Sequence, residues 1–213
     1  MNPHGGPAKC RTPSILDQSP TFIQPLTSIT ERLRLESFFA RLQPLEIELG
    51  AGDGSFLVRY AQMCSERNFL AVERLLGRLR KLDRKGRRAS LANLALLRIE
   101  AAYFIEYLLP PHCAQALHIY FPDPWPKKKH RKHRLINARF PEVARQALAP
   151  MGIVYLRTDD ADYFAQMQEV FAAAEKDFKP VETPAELAAV VTDFEREFNA
   201  QGIPTRRAAY RLK

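Results

Sequence analysis

The sequence predicts an α/β fold: a doubly wound, mostly parallel sheet with helices on both faces and an antiparallel edge strand near the C-terminus. Three observations carry this expectation. Apolar runs of strand length alternate with amphipathic segments of helical period between residues 45 and 174. A glycine-rich turn, ELGAGDGS at 48–55, joins the first of these strands to the first helix. Beyond residue 174 the alternation breaks into two further strand-like runs, which would add antiparallel strands at an edge.

Taken in order, residues 1–27 are rich in Pro, Gly, Ser and Thr without periodicity, and read as a flexible N-terminal arm. TSITERLRLESFFARLQP follows, with Ser28 and Glu31 at capping-box spacing and Leu33, Leu35, Phe38, Phe39 and Leu42 as an apolar stripe, so a helix is expected up to Pro44. Strands are then expected at 45–50, 68–73, 93–100, 116–121 and 152–159. Between and after them, helices are expected at 55–66, 75–88, 102–109, 138–148 and 162–174. The tail adds a strand near 178–181, a helix across 185–200 and a last strand near 208–212.

A length of 213 residues suits one domain, here expected over 28–213, since domains typically run to roughly 100–200 residues. No stretch approaches the roughly 18 apolar residues of a membrane span, and the N-terminus lacks the apolar core of a signal peptide. Cys10, Cys64 and Cys113 lie far apart with no CxxC pair, which argues against a zinc site or a disulfide framework. A reduced, cytoplasmic setting fits best. The formal charge of +8 suits a nucleic-acid partner, because counterion release from phosphates drives association.

The first loop narrows the ligand. Gly50, Gly52 and Gly54 place the third glycine one residue too early for a dinucleotide fingerprint, and Ser55 stands where that fingerprint needs glycine. Glu48, before the glycines, would repel a diphosphate and suits a cationic ligand. S-adenosylmethionine carries a sulfonium and an ammonium and no phosphate. Glu73, ending the second strand, can accept from both ribose hydroxyls. Glu100, ending the third, could reach the adenine amino group.

The most unusual stretch is IYFPDPWPKKKHRKHR at 119–134. In the common doubly wound order the fourth strand neighbours the first, so Asp123 is expected beside the glycine loop. Pro122 and Pro124 stiffen the backbone around it. Trp125 offers a flat face for a base. Lys127, Lys128, Lys129, Arg131, Lys132 and Arg134, with His130 and His133 among them, form a candidate phosphate-binding segment.

These residues carry a family resemblance. YFPDPWPKKKHRKHR, ELGAGDGS and VTDFEREF closely resemble the bacterial tRNA (guanine-N7-)-methyltransferases, class I enzymes of Rossmann-like fold that use S-adenosylmethionine. The resemblance implies transfer of a methyl group to N7 of guanine 46 in the tRNA variable loop. It implies cofactor contacts from Glu48, Gly50, Gly52, Glu73, Glu100 and Asp123, with Asp123 as the catalytic residue. It implies substrate contacts from Lys127, from Lys129, His130, Arg131, Lys132, His133 and Arg134, and from Asp159, Thr192, Asp193, Phe194 and Glu195. Two departures stand out: the family usually has Asp where Glu100 stands, and Lys where Asp193 stands.

Other readings remain at this level: a methyltransferase acting on another RNA or on an amine, or a non-catalytic RNA-binding module on the same fold. A nicotinamide enzyme is disfavoured by Ser55 and Glu48. The pattern leaves monomer and homodimer equally open.

Overall fold

The computed structural model describes residues 21–213. The expectation for residues 1–20, including Cys10, lies outside the described residues.

Eight strands form one sheet: β1 (Ile23–Gln24), β2 (Leu45–Leu49), β3 (Asn68–Val72), β4 (Leu94–Leu97), β5 (Ala114–Tyr120), β6 (Leu148–Thr158), β7 (Phe178–Val181) and β8 (Arg206–Leu212). Their spatial order is β1-β4-β3-β2-β5-β6-β8-β7. From β1 to β6 every pairing is parallel; β6–β8 and β8–β7 are antiparallel. The strand before the glycine loop, β2, pairs with both β3 and β5, so the chain reverses its winding direction at β2 as expected.

The helices are α1 (Leu57–Met63), α2 (Leu76–Arg88), α3 (Ala101–Tyr103, running into a π turn over Phe104–Leu108), α4 (Phe140–Ala147), α5 (Ala161–Ala173), α6 (Ala185–Ala188) and α7 (Asp193–Ala200). They cover both faces of the sheet. Phe104, Phe140 and Phe171 from α3, α4 and α5 pack with Ile47, Leu117 and Ile119 on one face. Leu57, Leu79, Leu82 and Leu187 from α1, α2 and α6 pack with Phe69, Leu96 and Tyr155 on the other. Apolar strands buried on both sides are what a parallel sheet between two helical layers requires. Among the described residues no helix is long and apolar enough to cross a membrane.

Three local expectations are corrected. The segment 28–43 is not a helix; it contains one 3₁₀ turn at Leu35–Phe38. Ser28 Oγ does accept from Glu31 N at 3.1 Å. Leu33 N, however, donates to Leu108 O at 2.9 Å, and the Arg32 guanidinium donates to Leu109 O. Anchoring to the end of α3 thus replaces intrahelical bonding, a tertiary override of propensity. The tail helix is split into α6 and α7 because Arg157 takes the carbonyls of Leu187 and Val190, each at 2.7 Å. Finally, Ile23–Gln24 forms β1, pairing with Leu96 and Leu97 where periodicity indicates no strand. Phe22 N donates to Asp83 Oδ1 at 2.8 Å and holds that segment to α2.

Candidate functional site

The glycine loop turns sharply after β2. Gly50, Gly52 and Gly54 all have positive φ, at 83°, 58° and 77°, a region that glycine enters without steric cost. Their roles differ. A Cβ at Gly54 would stand 2.3 Å from Leu82 Cγ, so this glycine lets α2 approach the loop. Cβ atoms at Gly50 or Gly52 would meet nothing within 4 Å, so there the bare backbone faces open space.

A cleft of about 230 Å³ opens at the carboxyl ends of β2, β3, β4 and β5. It brings together Gly50, Glu73, Glu100, Asp123 and His133. Sequence reasoning did not place Ile99, Arg74 or Arg78 here, yet they line it too. Glu73 Oε2 accepts from Gly52 N at 3.0 Å and its Oε1 from Leu75 N at 2.7 Å, which fixes the carboxylate against the loop with lone pairs to spare. Glu100 caps α3: its two oxygens accept from Ala102 N at 2.9 Å and Tyr103 N at 2.8 Å. The longer Glu thus serves as a helix N-cap while lining the cleft.

Glu48 lies behind the loop, 4% exposed. Burial pushes its carboxyl well above the usual carboxylate range; Arg157 opposes this, while Glu73 and Asp53 reinforce it. Its Oε2 is buried without a hydrogen-bond partner among the described residues. A buried acid oxygen left unpaired beside open glycine backbone fits a cationic ligand, which would restore its charge.

The loop after β5 is bent by strain. Phe121 and Trp125 have φ of +51° and +43°, conformations that cost non-glycine residues about 1–3 kcal/mol each and cluster at functional sites. They bracket Pro122, Asp123 and Pro124. Asp123 is exposed and makes no hydrogen bond to a described residue, which leaves its oxygens available. Trp125 packs on His133 and His130, with ring centroids 5.2 and 5.8 Å away.

The basic segment divides. Lys127, Lys128, Lys129 and Lys132 are exposed, and a 3₁₀ helix over Lys128–His133 presents the last three. Arg131 is half-buried and pairs with Asp162 at 2.8 Å. Arg134 departs from the expectation of RNA contact. It is 1% exposed, donates to Pro124 O at 2.6 Å, Gln166 Oε1 at 2.7 Å and Asp162 Oδ2 at 2.7 Å, and lies over the Tyr163 ring. With its donors directed inward, Arg134 holds the loop.

The TDFE run divides the same way. Thr192 and Glu195 form the capping box of α7. Glu195 is fully buried, pairs with Arg157 at 3.0 Å and also engages the Arg207 guanidinium. Both side chains are buried and bonded within the fold, whereas the resemblance implies substrate contact. Asp193 and Phe194 face outward; Asp193 pairs with Arg196, and Phe194 lies 6.3 Å from Phe121. Asp159 is half-exposed just past β6, its carbonyl accepting from Arg206 at 2.9 Å.

Sequence reasoning missed Arg157 and a buried chain in which His118 lies 2.6 Å from Glu46 and 2.8 Å from the Tyr120 hydroxyl. The Glu46 carboxyl is held below its usual range because its bonds to His118 and Arg67 outweigh burial, the largest single effect. The available signal was charged residues inside strands that read as buried on both faces.

Comparison with known proteins extends this geometry. A family model described as "Putative methyltransferase" matches residues 42–208. The chain is similar to the tRNA (guanine-N(7)-)-methyltransferase of Syntrophotalea carbinolica, 36% identical over 68% of this chain and 62% of that protein. The same-named protein of Geobacter metallireducens is 34% identical over 74% of each chain. In the Chlamydia caviae protein the match is 37% identical and spans 58% of its length, so the chain spans about three-fifths of several curated relatives. Among solved structures, the 16S rRNA methyltransferase KamB superposes with a TM-score of 0.59 at 16% identity, over 84% of this chain and 92% of that one. A 30S ribosomal A1408 methyltransferase from an uncultured bacterium gives 0.60 at 15%, with the same coverage. At such identity these two show the fold alone.

Proposed function

We propose that this chain, which belongs to the tRNA (guanine-N(7)-)-methyltransferase family, transfers a methyl group from S-adenosylmethionine to N7 of guanine in tRNA, at position 46 of the variable loop. The observation that carries the reading is Asp123: an unpaired acid on a strained, proline-bounded loop, sharing one cleft with Gly50, Glu73 and Glu100.

Glu48, Glu73, Glu100 and the open backbone of Gly50 and Gly52 would hold the cofactor, and the unpaired Glu48 Oε2 fits its cationic amino-acid end. When bound, the cofactor supplies an electrophilic methyl group on a sulfur that departs neutral. Guanine N7 carries an in-plane lone pair and needs no deprotonation, so the work of this chain is alignment. Asp123 accepts from guanine N1–H and the 2-amino group. These bonds strengthen as the base becomes cationic, which is electrostatic stabilisation of the transition state. Adenine lacks that donor pair, so the same contact selects guanine. Trp125, backed by His133, offers the base a stacking face. Lys127, Lys129 and Lys132 are exposed and suited to phosphate. The free thiols of Cys64 and Cys113 fit a reduced, cytoplasmic setting.

The test is incubation of unmodified tRNA with S-adenosylmethionine, followed by nucleoside mass analysis and mapping. Formation of 7-methylguanosine in the variable loop is expected. Asp123→Asn is expected to lower kcat/KM by about 100-fold or more, the scale of losing one stabilising contact. Unimpaired transfer by that variant would remove Asp123 from the mechanism.

A further inference from the structure

We propose that the outward face of α2 is a second phosphate-binding surface for the RNA, on the other side of β2 from the lysines of the 3₁₀ helix. The proposal rests on tRNA being the substrate. In the sheet, β3 and β5 flank β2. The basic segment follows β5, whereas α2 follows β3, and Arg74 and Arg78 line the same cleft as Asp123. A guanine inserted toward Asp123 has phosphates on both its 5′ and 3′ sides. The RNA therefore leaves the cleft in two directions, and the 3₁₀ helix meets only one of them.

The face of α2 has the chemistry to meet the other. Arg78, Lys81, Arg84 and Arg88 are exposed, and their spacing of three to four residues places them on one side of the helix. Among the described residues none of these four has an ion-pair partner; α2 forms its ion pairs through Lys85, with Asp53 at 2.8 Å, and Arg87, with Asp83 at 3.1 Å. An ordinary solvated helix intersperses acids with its bases, because like charges three or four residues apart repel. Among the helix's own residues this face carries cations alone, with Asp53 of the glycine loop in electrostatic reach of Lys81, and a polyanion relieves the remaining repulsion. Three of the four are arginines, whose planar guanidinium matches phosphate oxygens in a fork. The opposite face is occupied: Leu79 and Leu82 are fully buried, and Gly86 lies against Phe22 and Leu94. Folding therefore makes no demand on the outer cations. Arg78 to Arg88 extends about 15 Å along the axis at the helical rise, enough to follow several phosphates of one strand.

The experiment compares Lys81→Ala/Arg84→Ala/Arg88→Ala with a Lys127→Ala/Lys129→Ala control. Affinity for an unmodified tRNA transcript is titrated at several salt concentrations, and S-adenosylmethionine affinity is measured by calorimetry. Alanine is the best helix former, so the triple variant keeps α2. It is expected to bind tRNA about tenfold or more weakly near 0.1 M salt, with a log–log salt slope smaller by about 2–3, and to bind the cofactor as before. Unchanged tRNA affinity and slope, with weakened binding in the control, would overturn the α2 surface and leave the tRNA reading standing. Failure of the unaltered chain to bind tRNA would overturn both.

Discussion

Arg134 Nε donates to the carbonyl of Pro124 at 2.6 Å, so a buried guanidinium from the end of the basic run holds the loop that carries Asp123. The same side chain reaches Asp162 and Gln166 on α5, which ties the loop to the helical layer. Arg134→Ala is expected to cost about 1–3 kcal/mol, the scale of losing hydrogen bonds to a charged group. It should lower kcat at least tenfold, because small displacements of a reacting geometry are costly. Urea unfolding and single-turnover methylation measure both effects. If instead stability holds and the salt slope of tRNA binding drops by about one, Arg134 is a phosphate contact after all.

Glu48 predicts a trade between stability and binding. Its folded-state pKa is raised, so the folded chain keeps a proton that the unfolded chain releases above about pH 4. The stability this contributes is complete below the unfolded value and is lost as pH rises through the folded one. Glu48→Gln should therefore raise Tm near neutral pH, with the gain vanishing in acid. A cation bound beside Glu48 favours the ionised form. Cofactor binding by the unaltered chain should release protons and tighten with rising pH, and the glutamine variant should bind more weakly and release none. Calorimetry in buffers of different ionisation enthalpy reads this directly.

Two glycines of the loop, Gly52 and Gly54, should separate by phenotype. Gly54→Ala forces a Cβ to 2.3 Å from Leu82 Cγ at a positive φ, so a loss of about 1–3 kcal/mol in stability is expected. Gly52→Ala meets open space and bears only the backbone strain, about 1 kcal/mol. Its new methyl group enters the open space beside the loop and is expected to lower cofactor affinity more than stability. Denaturant midpoints and cofactor titration on both variants provide the comparison, and equal phenotypes would refute the division.

Glu195 is expected to behave as a structural residue. It is 0% exposed and faces Arg157, which is 1% exposed. Removing one partner of such a pair leaves the other buried and uncompensated, at about 3–5 kcal/mol. Glu195→Ala should lower Tm sharply, and the fraction that remains folded should keep its KM for tRNA. A raised KM with unchanged Tm would restore the substrate role.

Much of the fold was legible because its signals are local. The strand at 45–49 precedes a glycine turn, the strand at 68–72 leads into an amphipathic helix, and apolar period distinguishes the two element types. Segment 28–43 failed for the complementary reason. Its capping spacing is real, but the backbone donors of Leu33 and the side chain of Arg32 bond to a distant element, which no window of sequence contains.

The candidate site follows the same division. By itself the sequence determined the alternating order, the glycine loop, the proline-bounded Asp123 and the charge that follows it, since each depends on residue type and spacing along the chain. Only the tertiary structure decided which members of those motifs stay exposed and which are buried. Arg131 keeps partial exposure while Arg134, three residues on, is buried; Thr192 and Glu195 turn inward while Asp193 and Phe194 turn out; Glu100 lines the cleft and caps a helix at once. The physical reason is that a buried charge is tolerated only where partners from distant segments satisfy it. Asp162, Pro124 and Arg157 become such partners only when the chain has folded.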